Sequence, residues 1–117
     1  MLQPITGSLL SLYNDEHRKS KILIVEDDYY GSLALQNIIN TLSMGSFAVD
    51  SGFKAIEMIK ERYEEEKSTF QLILIDYIMP NMNGIDTTYM IRKYLNEVAP
   101  DVAQPFIVCM TNQTVTK

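Results

Sequence analysis

At 117 residues, with 46% hydrophobic and 21% charged residues, the chain has room for one domain with a real core. Its net charge of -5 and pI near 4.7 exclude an electrostatic grip on nucleic acid or anionic lipid. Phosphate binding needs a basic stripe, and the only basic cluster, His17, Arg18, Lys19 and Lys21, is short.

One cysteine, Cys109, rules out an internal disulfide and is compatible with a reducing compartment. The first residues show no basic start followed by an apolar core, and no apolar run approaches membrane-spanning length. A soluble, intracellular, cytoplasmic protein is expected.

Residues 1–20 mix Pro4, Gly7 and serines with Leu9, Leu10, Leu12 and Tyr13, then turn polar. They read as an arm or linker. His17, the only histidine, has no neighbour there for metal binding or nucleophilic work and reads as a solvated surface residue.

From Lys21 the pattern becomes regular. KILIV is a short, branched, apolar run that predicts a strand, and it ends in Glu26, Asp27 and Asp28. Leu35, Ile38, Ile39 and Leu42 follow at helical spacing, with Met44 and Gly45 closing the helix. Ser46 to Val49 predicts a weak second strand. Ser51 is a candidate cap for a helix with Ala55, Ile56, Ile59 and Tyr63 on one face and Glu57, Lys60, Glu61, Glu64 and Glu65 on the other. The EEEK of Glu64 to Lys67 reads as a solvated helix end.

The next stretch, FQLILIDYIMPNMNG from Phe70 to Gly84, organises the chain. Leu72 to Ile75 suit a strand buried on both faces, which stops at the carboxylate of Asp76. Pro80, Asn81, Asn83 and Gly84 then enforce a turn. Ile85, Thr88, Ile91, Leu95 and Val98 form one helical stripe, and residues 100–105 form a loop. FIVCM, Phe106 to Met110, predicts a fourth strand ending at Thr111, in which Cys109 reads as a buried structural thiol.

Strand and helix alternate through four strands, which is the pattern of an α/β parallel sheet with crossover helices. The C-terminal ends of such strands share one edge, where Glu26 and Asp27 from the first strand meet Asp76 from the third and Thr111 from the fourth. Taken singly, Asp76 also suits a turn or a cap, Glu26 and Asp27 suit a helix start, and Thr111 suits a plain strand end. Brought close, three carboxylates must take up protons or hold a cation. Hard oxygen donors with room for water fit Mg²⁺ better than zinc. A free oxygen on Asp76 beside such an ion could attack phosphorus, with Thr111 donating a hydrogen bond to a phosphoryl oxygen.

The segments ILIVEDD, LILIDYIMPNMNG with Ile91-Arg92 in the following helix, and PFIVCMT together resemble the receiver domain of two-component response regulators and hybrid histidine kinases. The resemblance runs from about Lys21 to the last residue. It implies a flavodoxin-like sheet whose strand order begins 2-1-3-4, and a phosphorelay function with a histidine kinase or histidine phosphotransfer protein as partner. It implies Asp76 as phosphoacceptor, with Mg²⁺ held by Glu26, Asp27, Asp76 and the backbone carbonyl of Ile78. Thr111 matches the switch hydroxyl. Such a domain is a phosphoacceptor, not an enzyme acting on other substrates.

The resemblance is incomplete. Relatives continue with a fifth strand, a catalytic lysine and a last helix, so residues 21–117 read as a receiver truncated where its fourth helix begins. No residue matches the lysine, since Lys117 lies too soon after Thr111. Asn112 stands where a small residue is usual and would crowd a phosphodonor. The apolar Ile78 offers no group to orient water, so slow hydrolysis of phospho-Asp76 is expected. Without a fifth strand, FIVCM becomes an open edge that invites dimerisation or completion by another segment.

The alternative is a receiver-like interaction module that takes no phosphate. An aspartate-nucleophile hydrolase is disfavoured because its general acid would stand at Ile78. No Walker loop or GxGxxG is present.

Overall fold

The computed structural model describes residues 20–111; the expected arm before Ser20, together with Asn112 and Lys117, lies outside them. The elements are β1 (Ile22–Val25), α1 (Tyr29–Thr41), β2 (Ser46–Val49), α2 (Gly52–Glu66), β3 (Leu72–Asp76), α3 (Gly84–Val98) and β4 (Phe106–Met110). The four strands are parallel, in the order β2-β1-β3-β4. This is the expected α/β architecture and strand order.

Strand residues alternate between two faces. Leu23, Val25, Ile73 and Ile75 point to the side covered by α2 and α3, and all are fully buried with Ala55, Met58, Ile59, Ile91 and Leu95. Ile22 and Ile24 point to the other side, where Ile39 of α1 packs on them while Leu72 and Leu74 are only partly covered. The two layers differ in completeness. Toward β4 the α1 side runs out of cover, and Phe106 is 80% and Val108 48% exposed.

That difference corrects several expectations. Ile38 and Leu42 are exposed, because α1 lies over β1 and β2 and presents mainly Leu35 and Ile39 to the sheet. The helix stops at Thr41, where Ser43 takes the left-handed conformation (φ 58) ahead of the expected Met44 and Gly45. Ile85 and Val98 are exposed, since the buried line of α3 is Thr87, Ile91 and Leu95, continued by Ala99 just past the helix end. Cys109 is exposed, not buried: it lies on an edge strand flanked on one side only.

Ser20, assigned to the arm, is buried in the body of the fold. Its carbonyl accepts a hydrogen bond from the Arg62 guanidinium. That guanidinium stacks 3.9 Å from the Phe70 ring centroid, and cation–π contact offsets part of the cost of a buried charge.

The end caps follow the sequence chemistry. Ser51 accepts from the Lys54 N–H at 3.1 Å and so starts α2. Lys67 closes that helix in a left-handed conformation (φ 55).

Candidate functional site

β1 and β3 are in step, with Val25 opposite Ile75. The next residue on each strand is an acid. Glu26 and Asp76 are 7% and 6% exposed respectively, and their strand positions bring them side by side. Asp27 follows at the surface. Each of the three offers a carboxylate oxygen, and these oxygens all lie within 4.8 Å of one another.

The three acids after β1 divide their work. Asp28 caps α1, accepting from the Gly31 N–H at 3.0 Å. Glu26 Oε1 accepts from the Asp28 N–H at 3.1 Å, which fixes its side chain over the sheet edge. The helix-start role that Glu26 and Asp27 could have filled is therefore taken by their neighbour. They are left facing Asp76.

Electrostatics records the crowding. Burial pushes the Glu26 carboxyl up to about 7 from 4.5, helped by the negative charge of Asp76 and opposed by the Asp28 N–H. A proton or a cation relieves the cluster, and a donor set made only of carboxylates suits a hard divalent ion.

The loop after Asp76 is held from both sides. The Tyr77 N–H donates to the Met110 carbonyl at 2.7 Å, and the Gly84 N–H donates to the Tyr77 carbonyl at 2.9 Å. Asn81 adopts a positive φ of 70, which asparagine tolerates better than most residues. Asn83 caps α3 through the Asp86 N–H at 2.8 Å.

Gly84 serves close approach. A Cβ there would come within 2.6 Å of the Asp76 carbonyl oxygen and 2.9 Å of Cys109 Sγ. Packing against the chain and the nearby Asp76 charge together push the Cys109 thiol up. Met79 is buried and pins the loop to the core, while Ile78 is 57% exposed. Met79 was not legible in the sequence, because nothing in YIMPNMNG distinguishes its side chain from those of Ile78 and Met82.

Thr111 directly follows Met110, the register partner of Asp76, and so stands at the same rim. Beside the acids runs a groove lined by Glu26, Asp27, Tyr29, Gln36, Asp50 and Lys54. Lys54 pairs with Asp50 at 3.0 Å there. That pairing is an i, i+4 contact at the start of α2.

A family model described as the response regulator receiver domain matches residues 22–115. The chain belongs to the response regulator receiver family. Transcription factor SKN7 of Chaetomium thermophilum is 33% identical over 109 residues, covering 93% of this receiver chain and 12% of that protein. The receiver thus spans a small part of the curated relatives it matches.

Among solved structures, the receiver domain of the histidine kinase CKI1 from Arabidopsis thaliana, complexed with Mg²⁺ and BeF₃⁻, superposes with a TM-score of 0.70 at 22% identity. That match covers 83% of this chain and 68% of that one. A co-crystal of the Saccharomyces cerevisiae histidine phosphotransfer protein Ypd1 with the receiver domain of Ssk1 gives a TM-score of 0.59 at 20% identity, covering 80% and 62%.

Proposed function

We propose that this receiver is a phosphoacceptor in a phosphorelay, with Asp76 taking a phosphoryl group from a phosphohistidine. The observation that carries the reading is the meeting of Glu26, Asp27 and Asp76 at the strand ends. An Asp76 oxygen forms the O–P bond as the N–P bond of the donor breaks, and the donor imidazole, protonated on its other nitrogen, leaves neutral. Glu26, Asp27, Asp76 and the Ile78 carbonyl would hold Mg²⁺, which when bound offsets charge on the phosphoryl oxygens. Thr111 donates to one of those oxygens as the switch hydroxyl.

The domain in this reading is residues 21–117, preceded by an arm, and it is a signalling module rather than an enzyme acting on other substrates. Its partner is a histidine kinase or a histidine phosphotransfer protein. The co-crystal of Ypd1 with the Ssk1 receiver, a domain of the same fold, supports that reading. A cytoplasmic setting suits a partner of this class. No helix among the described residues is long and apolar enough to cross a membrane.

Incubation with acetyl phosphate and Mg²⁺ followed by intact-mass measurement tests the assignment. One phosphoryl adduct is expected on the natural chain and none on Asp76→Asn. No adduct on either would reassign the chain to a receiver-like interaction module.

A further inference from the structure

Gly52 opens α2 and is buried. Its backbone lies outside the left-handed region, so on local grounds a residue with a side chain would serve better, by lowering the entropy of the unfolded chain. The reason for the glycine is therefore tertiary.

A Cβ on Gly52 would overlap Thr87 Oγ1 and come within 3.0 Å of Met82 Sδ. The methionine could bend aside. Thr87 has far less freedom, because it is wholly buried and its hydroxyl donates to the Asn83 carbonyl at 2.9 Å. The Thr87 N–H donates to the same oxygen at 3.0 Å.

Both neighbours of Gly52 support the loop that carries the acid site. Met82 lies in that loop, between Asp76 and α3, and the Asn83 carbonyl held by Thr87 stands at its far end. The loop is closed on itself there, since the Gly84 N–H donates to the Tyr77 carbonyl. Within it Ile78 is exposed and cannot fix its own carbonyl by packing. Support comes from behind, through Met79 in the core and Met82 against α2.

We propose that Gly52 is a positioning residue for the metal. By letting the start of α2 close against Met82 and Thr87, it holds the loop after Asp76 at the height that presents the Ile78 carbonyl to the ion. This rests on the reading of Glu26, Asp27 and Asp76 as a Mg²⁺ site. Mg²⁺ demands near-ideal octahedral geometry, so a small displacement of one oxygen ligand weakens binding.

Calorimetric titration of Mg²⁺ into the natural chain and its variants tests this. Gly52→Ala should weaken binding by about tenfold, in the range seen when groups that orient metal ligands are removed. Adding Thr87→Ala to that variant should restore most of the affinity, because the overlapping oxygen is gone. Met82→Ala forces no overlap and lies at a partly exposed position, so it folds even where Gly52→Ala does not. It should weaken Mg²⁺ binding severalfold by removing the loop's contact with α2. In chelator, hydrogen exchange at the Gly84 amide should quicken in Gly52→Ala and Met82→Ala relative to the amides of β1.

Unchanged Mg²⁺ affinity in both single variants, with only the melting temperature lowered, would make Gly52 a packing residue and overturn the proposal while leaving the metal site standing. No recovery in the double variant would overturn it too, since the overlap with Thr87 would not be the cause. A natural chain that takes up no Mg²⁺ would overturn the reading of the acids and this proposal with it.

Discussion

One residue separates the best-packed part of this molecule from its least comfortable. Val25 and Ile75 face each other across β1 and β3 and are wholly buried among apolar side chains. Glu26 and Asp76, the next residues along, are nearly as buried yet carry carboxylates that crowd each other and Asp27. The first pair stabilises the fold by removing apolar surface from water. The second opposes it. The contrast teaches that a rigid sheet can hold charged groups where they would not gather by themselves, so the strain of the site is borne by the layer beneath it.

The largest expected effect breaks the apolar half of this contrast. Ile75→Ala should lower stability by about 2–5 kcal/mol, as deletions in tightly packed cores do, measured by urea unfolding. Asp76→Asn should have the opposite sign in metal-free buffer, because it removes a buried negative charge from a crowded group of acids. A loss of stability in Asp76→Asn comparable with that of Ile75→Ala would erase the distinction.

The second effect is on pH dependence. Glu26 holds its proton up to about pH 7 in the folded state against 4.5 ordinarily, so between these values the folded chain binds more protons than the unfolded one. Its contribution to stability is therefore greatest at and below the lower value, falls as pH rises through the window, and levels off above the upper. Melting curves in chelator should show this decline, and Glu26→Gln should remove it. Added Mg²⁺ should flatten the decline as well, because a bound cation takes the place of the proton.

The smallest effect concerns the exposed loop beside the site. Ile78→Asn should leave folding almost untouched and shorten the lifetime of phospho-Asp76 severalfold, by offering a side chain that can orient water. Decay of the phosphoryl adduct followed by mass measurement is the check. An unchanged lifetime would show that Ile78 does not govern hydrolysis.

Much of this architecture was legible because its signals are local. β2 and β4 occupy the predicted residues, and Ser51 and the turn around Asn81 behave as their chemistry demands. The failures share one cause, which is that helical periodicity names a face without saying how far the sheet extends beneath it. Ile38 and Leu42 sit at helical spacing but have no neighbour to cover them, while Thr87 and Arg62 are buried in spite of their polarity. Arg62 is tolerated because the Ser20 carbonyl and the Phe70 ring receive it. Cys109 was misjudged for a similar reason: an apolar run looks the same on a central strand as on an edge.

Sequence alone determined the order of strands and helices and the placing of acids at the ends of two strands, because runs of branched residues, caps and turn formers act over a few neighbours. It also identified Asp76 as the residue with a free strand end and a stiff loop behind it. Only the tertiary structure decided that Asp28 takes the helix cap, leaving Glu26 and Asp27 to Asp76, and that Glu26 keeps its proton near neutrality. The same holds for the uneven cover of the two sheet faces. Burial and charge interaction depend on which distant segments lie within a few ångströms, and that is fixed by packing rather than by any stretch of chain read by itself.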